Sequence, residues 1–96
     1  MFVHHVFFWL KPGANKEALR AGLQELVQID LIRQSHIGEA VPSPRDVVDD
    51  SFDFSLLCFF DNAADQDIYQ DHPDHHVFIN NCSHLWERVV VYDAMD

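Results

Sequence analysis

The stretch FVHHVFFWL, Phe2–Leu10, constrains this chain more than any other. It is rich in β-branched and aromatic residues and is closed by Lys11-Pro12-Gly13, which together read as a buried strand. At period two, Val3, His5, Phe7 and Trp9 share one face, while Phe2, His4, Val6, Phe8 and Leu10 share the other. Both faces are apolar, so both need a cover. FDFSLLCFF (52–60) poses the same demand, with Phe52, Phe54, Leu56, Cys58 and Phe60 in register.

Between and after these strands the pattern alternates. Residues 15–29 read as a helix, with Asn15 as N-cap, Glu17 in the first turn and Leu19, Leu23 and Leu26 as an apolar stripe. Gly22 weakens its middle unless a neighbour must pass close by. Residues 31–41 form a weaker strand, followed by the Pro- and Asp-bearing loop 42–51. Residues 61–71 start a helix capped by Asp61 or Asn62, which must stop near His72 because Pro73 disfavours helical geometry just before itself. Pro73 is equally suited to open a short helix over 73–85, and 86–95 closes the chain as a strand.

The order β-α-β-β-α-β is the ferredoxin-like arrangement, an α+β fold with one antiparallel sheet, here expected as one domain over 1–96. Helices cover one face only. The same face of a second copy is the simplest cover for the other, so the sequence predicts a homodimer built sheet against sheet.

Composition narrows the function classes. The chain is 48% hydrophobic, with eight Phe, two Trp and two Tyr, which is globular. Sixteen acids against six basic residues give a net charge of −10, which opposes nucleic acid and anionic membrane surfaces as partners. Two cysteines, Cys58 and Cys82, make no disulfide scaffold. The N-terminal stretch lacks a basic segment and fails as a signal peptide or membrane span, so a cytoplasmic setting is the default expectation.

The chemistry-bearing residues gather in IYQDHPDHHVF, 68–78. Tyr69 and His75 are six apart, so one straight helix would not align them, and the break at Pro73 must turn the chain to bring them together. Tyr69 with His72, one turn apart, is the simpler pair. His75 falls in the first turn of the second helix, whose positive end favours a neutral imidazole, whereas Asp71 and Asp74 favour the charged one. Free N–H groups at that helix start offer a way to polarise a carbonyl. His72 reads as a cap or dimer contact, and His4, His36, His76 and His84 as surface or interface residues. DHPDHH has ligand types for a transition metal, but Pro73 breaks the His72/His76 register and no thiolate lies nearby, so no metal is expected. DVVDD reads as a solvated loop.

The strand HHVFFWLKPG, then YQDHPDHHVF, then LWERVVVYD, resembles the stress-responsive dimeric α/β-barrel (Dabb) family over nearly the whole chain. The resemblance implies ferredoxin-like protomers pairing into a barrel-like dimer. It is similar in motif to the cofactor-free plant polyketide cyclases of that family, the olivetolic acid cyclase type, which close a linear thioester by aldol condensation. That similarity implies catalytic roles for Tyr69 and His75 and a pocket role for His5. A middle-strand pocket histidine of the cyclase corresponds to Phe54 here.

The expected pocket lies between sheet and helices, with His5, Tyr69 and His75 at its polar end and Phe7, Trp9, Phe54, Leu56 and Trp86 as its walls. Its ligand would be a small hydrophobic or aromatic molecule, and no cofactor is expected. His5 among Val3, Phe7 and Trp9 also reads as a core histidine, and Tyr69 with His75 as a hydrogen-bond network at a helix break. The rival functions are a non-catalytic ligand-binding or stability role and a cofactor-free oxygenase.

Overall fold

The computed structural model describes residues 1–96. Its elements are β1 (Phe2–Leu10), α1 (Lys16–Leu26), β2 (Gln34–Glu39), β3 (Phe54–Phe60), α2 (Ala63–Asp71), α3 (Pro73–Cys82) and β4 (Trp86–Met95). A 3₁₀ turn, Ser83–Leu85, joins α3 to β4. The strands form one sheet in the order β2-β3-β1-β4, with every pair antiparallel. This is the ferredoxin-like topology that the element order predicts. No helix is long and apolar enough to cross a membrane.

Local chemistry sets the boundaries. Asn15 Oδ1 accepts the Ala18 N–H at 3.0 Å and starts α1, whose Leu19, Leu23 and Leu26 are buried. Burying each of these leucines contributes about 1.5–3 kcal/mol. Asn62, one of the two expected caps, accepts the Asp65 N–H at 2.8 Å and starts α2. β2 is shorter than the expected 31–41. Ile29 is buried in the turn after α1 with Leu31 and Ile32 packed nearby, so the apolar residues there serve a corner rather than a strand.

Alternation then sorts the side chains. His4, Val6 and Phe8 of β1, with Phe54, Leu56, Cys58 and Phe60 of β3, are buried under the helices. Val3, His5, Phe7 and Trp9 point to the opposite face with Ser55, Leu57 and Phe59, and are only half-buried. Phe52 corrects the expected register. Its ring lies 4.9 Å from that of Phe7, on the open face, because β3 begins at Phe54 and the preceding loop folds back. The loop is pinned there by the Asp53 N–H on the Phe8 carbonyl (2.8 Å) and by Asp53 Oδ2 accepting the Leu10 N–H (2.7 Å).

Gly22 has the neighbour that its sequence context asked for. A Cβ there would stand 2.5 Å from Cys82 Sγ and 3.4 Å from the Phe78 ring, so glycine permits the close approach of α1 and α3. Gly22→Ala gains helix propensity of about 1 kcal/mol but collides with Cys82 at a cost of about 1–3 kcal/mol. Urea denaturation should show net destabilisation in the wild-type background and stabilisation in a Cys82→Ala background. The same sign in both backgrounds would contradict this packing.

Candidate functional site

Tyr69 is the hub of the helix–sheet interface. It is 1% exposed. Its ring lies 5.0 Å from Phe60, 5.9 Å from His4 and 4.8 Å from His75, which meets it edge to face. The break between α2 and α3 makes the last contact possible. His72 is extended (φ −63°, ψ 138°) and serves as C-cap of α2 and N-cap of α3, while Pro73 takes the first helical position. The turn brings His75 onto Tyr69 although six residues separate them. No hydrogen bond joins the two rings; their contact is a packed one.

His72 is a cap, as its place before Pro73 allows. Its Nδ1 accepts the Asp74 N–H at 3.0 Å. The N–H groups of His75 and His76 both donate to the His72 carbonyl (3.0 and 3.1 Å), and Pro73 has none. The start of α3 is thus fully occupied by its own cap and leaves no N–H group free to polarise a carbonyl, contrary to the sequence expectation. His72, His75 and His76 are not gathered with carboxylates into a group that could hold a metal ion.

The third polar member of the site is His4, not His5. His4 faces the helices and is 4% exposed. Its Nδ1 lies 2.5 Å from Asp93 Oδ1, reached across the β1–β4 pairing that sets these two residues opposite each other. A carboxylate only accepts, so the neutral ring carries its proton on Nδ1 and keeps Nε2 as a free lone pair. The expectation placing His5 at this end is corrected by period two: His5 sits one residue along β1 and faces away, opposite Leu57 and Tyr92.

These groups line a cavity of about 190 Å³ between sheet and helices. His4, Tyr69, Gln70 and His75 give its polar groups, and ten of its thirteen lining residues are hydrophobic, so it is an apolar hollow with polar groups at few points. Leu56 and Trp86 line it as expected; Trp86 stacks on Phe78 at 5.7 Å. The other expected walls do not. Phe54 is fully buried in the core, and Phe7 and Trp9 border a separate hollow of about 150 Å³ on the open face with Phe52, Arg88 and Tyr92. Val89 and Val91 of β4, missed by the sequence reading, border the cavity and remain partly exposed. Asp93 was also missed, although an acid directly after the apolar run VVVY of β4 is a signal for a buried partner.

Burial sets the protonation states. The His75 imidazole titrates below its ordinary value because burial disfavours the charged ring, helped by the charges of His76, His4 and His72. Asp71 and Asp74 do not reverse this. Burial, with a smaller effect of Cys58, pushes the Tyr69 phenol far above its usual range, so it remains a donor at neutral pH. The Cys58 thiol is pushed up to about 12 by burial and is chemically inert. His75 Nδ1 is buried without a hydrogen-bond partner. Such an atom carries a desolvation cost of about 1–3 kcal/mol, which a ligand or a bound water could relieve.

The four-stranded antiparallel sheet with helices on one face defines an α+β protein of the ferredoxin-like class. The chain belongs to the stress responsive A/B barrel domain family (Dabb), whose family model matches residues 2–96. Solved structures agree on the fold. An Arabidopsis thaliana protein superposes with a TM-score of 0.84 at 21% identity, covering 100% of this chain and 95% of its own. A Dabb family protein of Mesorhizobium loti with a ferredoxin-like fold gives 0.78 at 22% identity, over 99% and 95% of the two chains. A dimeric ferredoxin-like protein of unknown function from Bacteroides fragilis gives 0.72 at 19% identity, over 99% and 95%. No curated protein matches the sequence.

The lowered titration of His75 has a stability consequence with a definite sign. Above about pH 7.5 both folded and unfolded chains hold this ring neutral, and it contributes nothing. As pH falls through the ordinary histidine value of about 6.5, the unfolded chain takes up a proton that the folded chain resists, so stability drops. Urea denaturation near pH 7.5 and near pH 5.5 should show a smaller drop for His75→Gln than for wild type. An unchanged drop would mean that this ring is not held neutral by the fold.

Proposed function

We propose that the cavity binds a small apolar molecule bearing a carbonyl and moves a proton beside that carbonyl without a cofactor. The observation that supports this best is the convergence of His4, Tyr69 and His75 on one mostly apolar hollow, with His4 oriented by Asp93. Neutral His75 is the base that takes the proton from the carbon next to the carbonyl. The Tyr69 phenol donates to the oxygen on which enolate charge develops. The imidazolium so formed on His75 returns that proton at another atom of the enolate, and His4, with its Nδ1–H held by Asp93, presents the Nε2 lone pair as an acceptor for a substrate hydroxyl. This is the chemistry of a cyclase or an isomerase.

Size limits the ligand. A cavity of about 150 Å³ holds benzene, so about 190 Å³ takes one ring with a short substituent, or a short acyl chain. The partly exposed Val89 and Val91 give an apolar way in for a chain that exceeds this volume.

We propose further that the open sheet face is covered by a second copy. Of the sixteen acidic residues, none takes a paired strand position on that face, which carries Val3, Phe7, Trp9, Leu57, Phe59 and Val90, and Glu87 stands unpaired in the β4 bulge at its end. Two copies of a strongly acidic chain can therefore meet over its centre with little carboxylate repulsion, Asp49 and Glu87 lying at the Trp9 end beside Arg88. Four strands about 4.8 Å apart, with about 3.3 Å per residue, give a footprint of the order of 500 Å² before side-chain relief, near the scale of a standard interface side. The B. fragilis relative is described as dimeric, which agrees.

The chemical reading is tested by NMR in D₂O with a monocyclic aryl methyl ketone, following loss of the methyl proton signal. Wild type should accelerate exchange over buffer, and His75→Ala should lower the rate by about 10²–10⁴-fold. Binding seen by titration with no exchange would make the protein a ligand carrier instead. For the dimer, sedimentation at micromolar concentration should give the mass of two chains, and Leu57→Asp should give that of one; a monomeric wild type would contradict the assembly.

A further inference from the structure

The open face carries two imidazoles that the cavity does not use. His5 lies in the middle of β1, between Leu57 of β3 and Tyr92 of β4, with its ring 4.3 Å from that of Phe7. His36 of β2 stands on the other side of the same Leu57. Its ring lies over Gly38, where a Cβ would come 2.8 Å from His36 Cε1. The two rings thus flank one leucine at the centre of the face.

The charged groups around them are few. β3 offers none at Ser55, Leu57 and Phe59, and β4 offers the Tyr92 hydroxyl, the Arg88 guanidinium, which sits 4.2 Å over Trp9, and, in the bulge beside Arg88 at the Trp9 end, the exposed Glu87. From the loop before β3, Asp49 is held by Ser51, and Asp53 by the Leu10 N–H, both toward the Trp9 end. At the opposite end Asp96 is paired with the Met1 amine at 2.7 Å. His4 lies behind the strand, facing Asp93. Neither His5 nor His36 has a carboxylate partner within ion-pair distance.

We propose that the homodimer is acid-labile, with His5 and His36 as the groups that open it. The proposal rests on the sheet-to-sheet dimer put forward above. In an isologous interface each ring occurs twice, so protonation would place up to four positive charges among Leu57, Phe7 and Tyr92 with no carboxylate to receive them. The separated chain returns those charges to water. Burial, with the charges of His36 and His4, already favours the neutral form of His5 in the single protomer, and a covering partner buries the ring further. The sign is therefore fixed. The separated chain binds more protons than the dimer, and the dissociation constant rises as pH falls through the histidine range, up to about tenfold per pH unit for each proton taken up.

Sedimentation equilibrium of the full chain near pH 7.8 and near pH 5.8, both above the pI of about 4.8, reads this directly, with circular dichroism confirming that the fold persists. The dissociation constant of wild type should rise at least tenfold at the lower pH. A His5→Gln/His36→Gln double variant should lose most of that rise, and His84→Gln, altering an exposed histidine outside the sheet, should keep it. A wild-type dimer equally tight at both pH values would overturn the proposal and leave the dimer intact. A wild type already monomeric near pH 7.8 would overturn the dimer itself. Should the double variant fail to fold, the single variants His5→Gln and His36→Gln must each reduce the rise, and an undiminished rise in both would also overturn it.

Discussion

Strict alternation along β1 is the constraint on which the rest depends. The strand is paired on both edges, with β3 and with β4, so its register cannot slip without moving every side chain to the wrong face. That register puts His4, Val6 and Phe8 under the helices and His5, Phe7 and Trp9 on the open side. Two adjacent histidines thereby enter different environments. One meets a carboxylate and a buried phenol; the other meets leucine, phenylalanine and tyrosine.

The helix break at His72–Pro73 is the second constraint, and it acts on the same place. A continuous helix from Ala63 to Cys82 would carry His75 round to another side. The extended His72, by contrast, closes one helix and caps the next in a single residue, and the new direction lays the His75 ring against Tyr69. Since Tyr69 also touches Phe60 of β3 and His4 of β1, the break, the sheet and the candidate site form one packed unit. The buried, unpartnered Nδ1 of His75 is where that unit departs from ordinary satisfied packing.

Much of the fold was legible in the sequence because local signals agreed. Asn15, Asn62 and Pro73 mark helix starts, and Leu19, Leu23 and Leu26 mark the buried stripe, so element order and topology follow from short-range chemistry. The site was half legible. Tyr69 and His75 stand out in a polar, proline-broken stretch, whereas the choice between His4 and His5 depends on which face of β1 the helices cover. Nothing local to HHVFF decides that, since both faces are apolar. The companion strand held the clue: Phe54, Leu56, Cys58 and Phe60 make the more apolar side of β3, and antiparallel pairing aligns Cys58 with His4. Asp93 was hidden for a similar reason, as its partner lies 89 residues away and only the β1–β4 register joins them. Phe52 was misplaced because a loop that returns over the sheet obeys no period.

The central claim is that His4 and His75 share one ligand-accessible hollow while His5 lies outside it. Long-range ¹H–¹⁵N spectra of the histidine ring nitrogens, recorded during titration with a monocyclic aryl ketone, bear on it most directly. The ring signals of His4 and His75 should move together and saturate at one ligand concentration, with those of His5 and His36 unmoved. Movement of His5 in place of His4 would contradict the account.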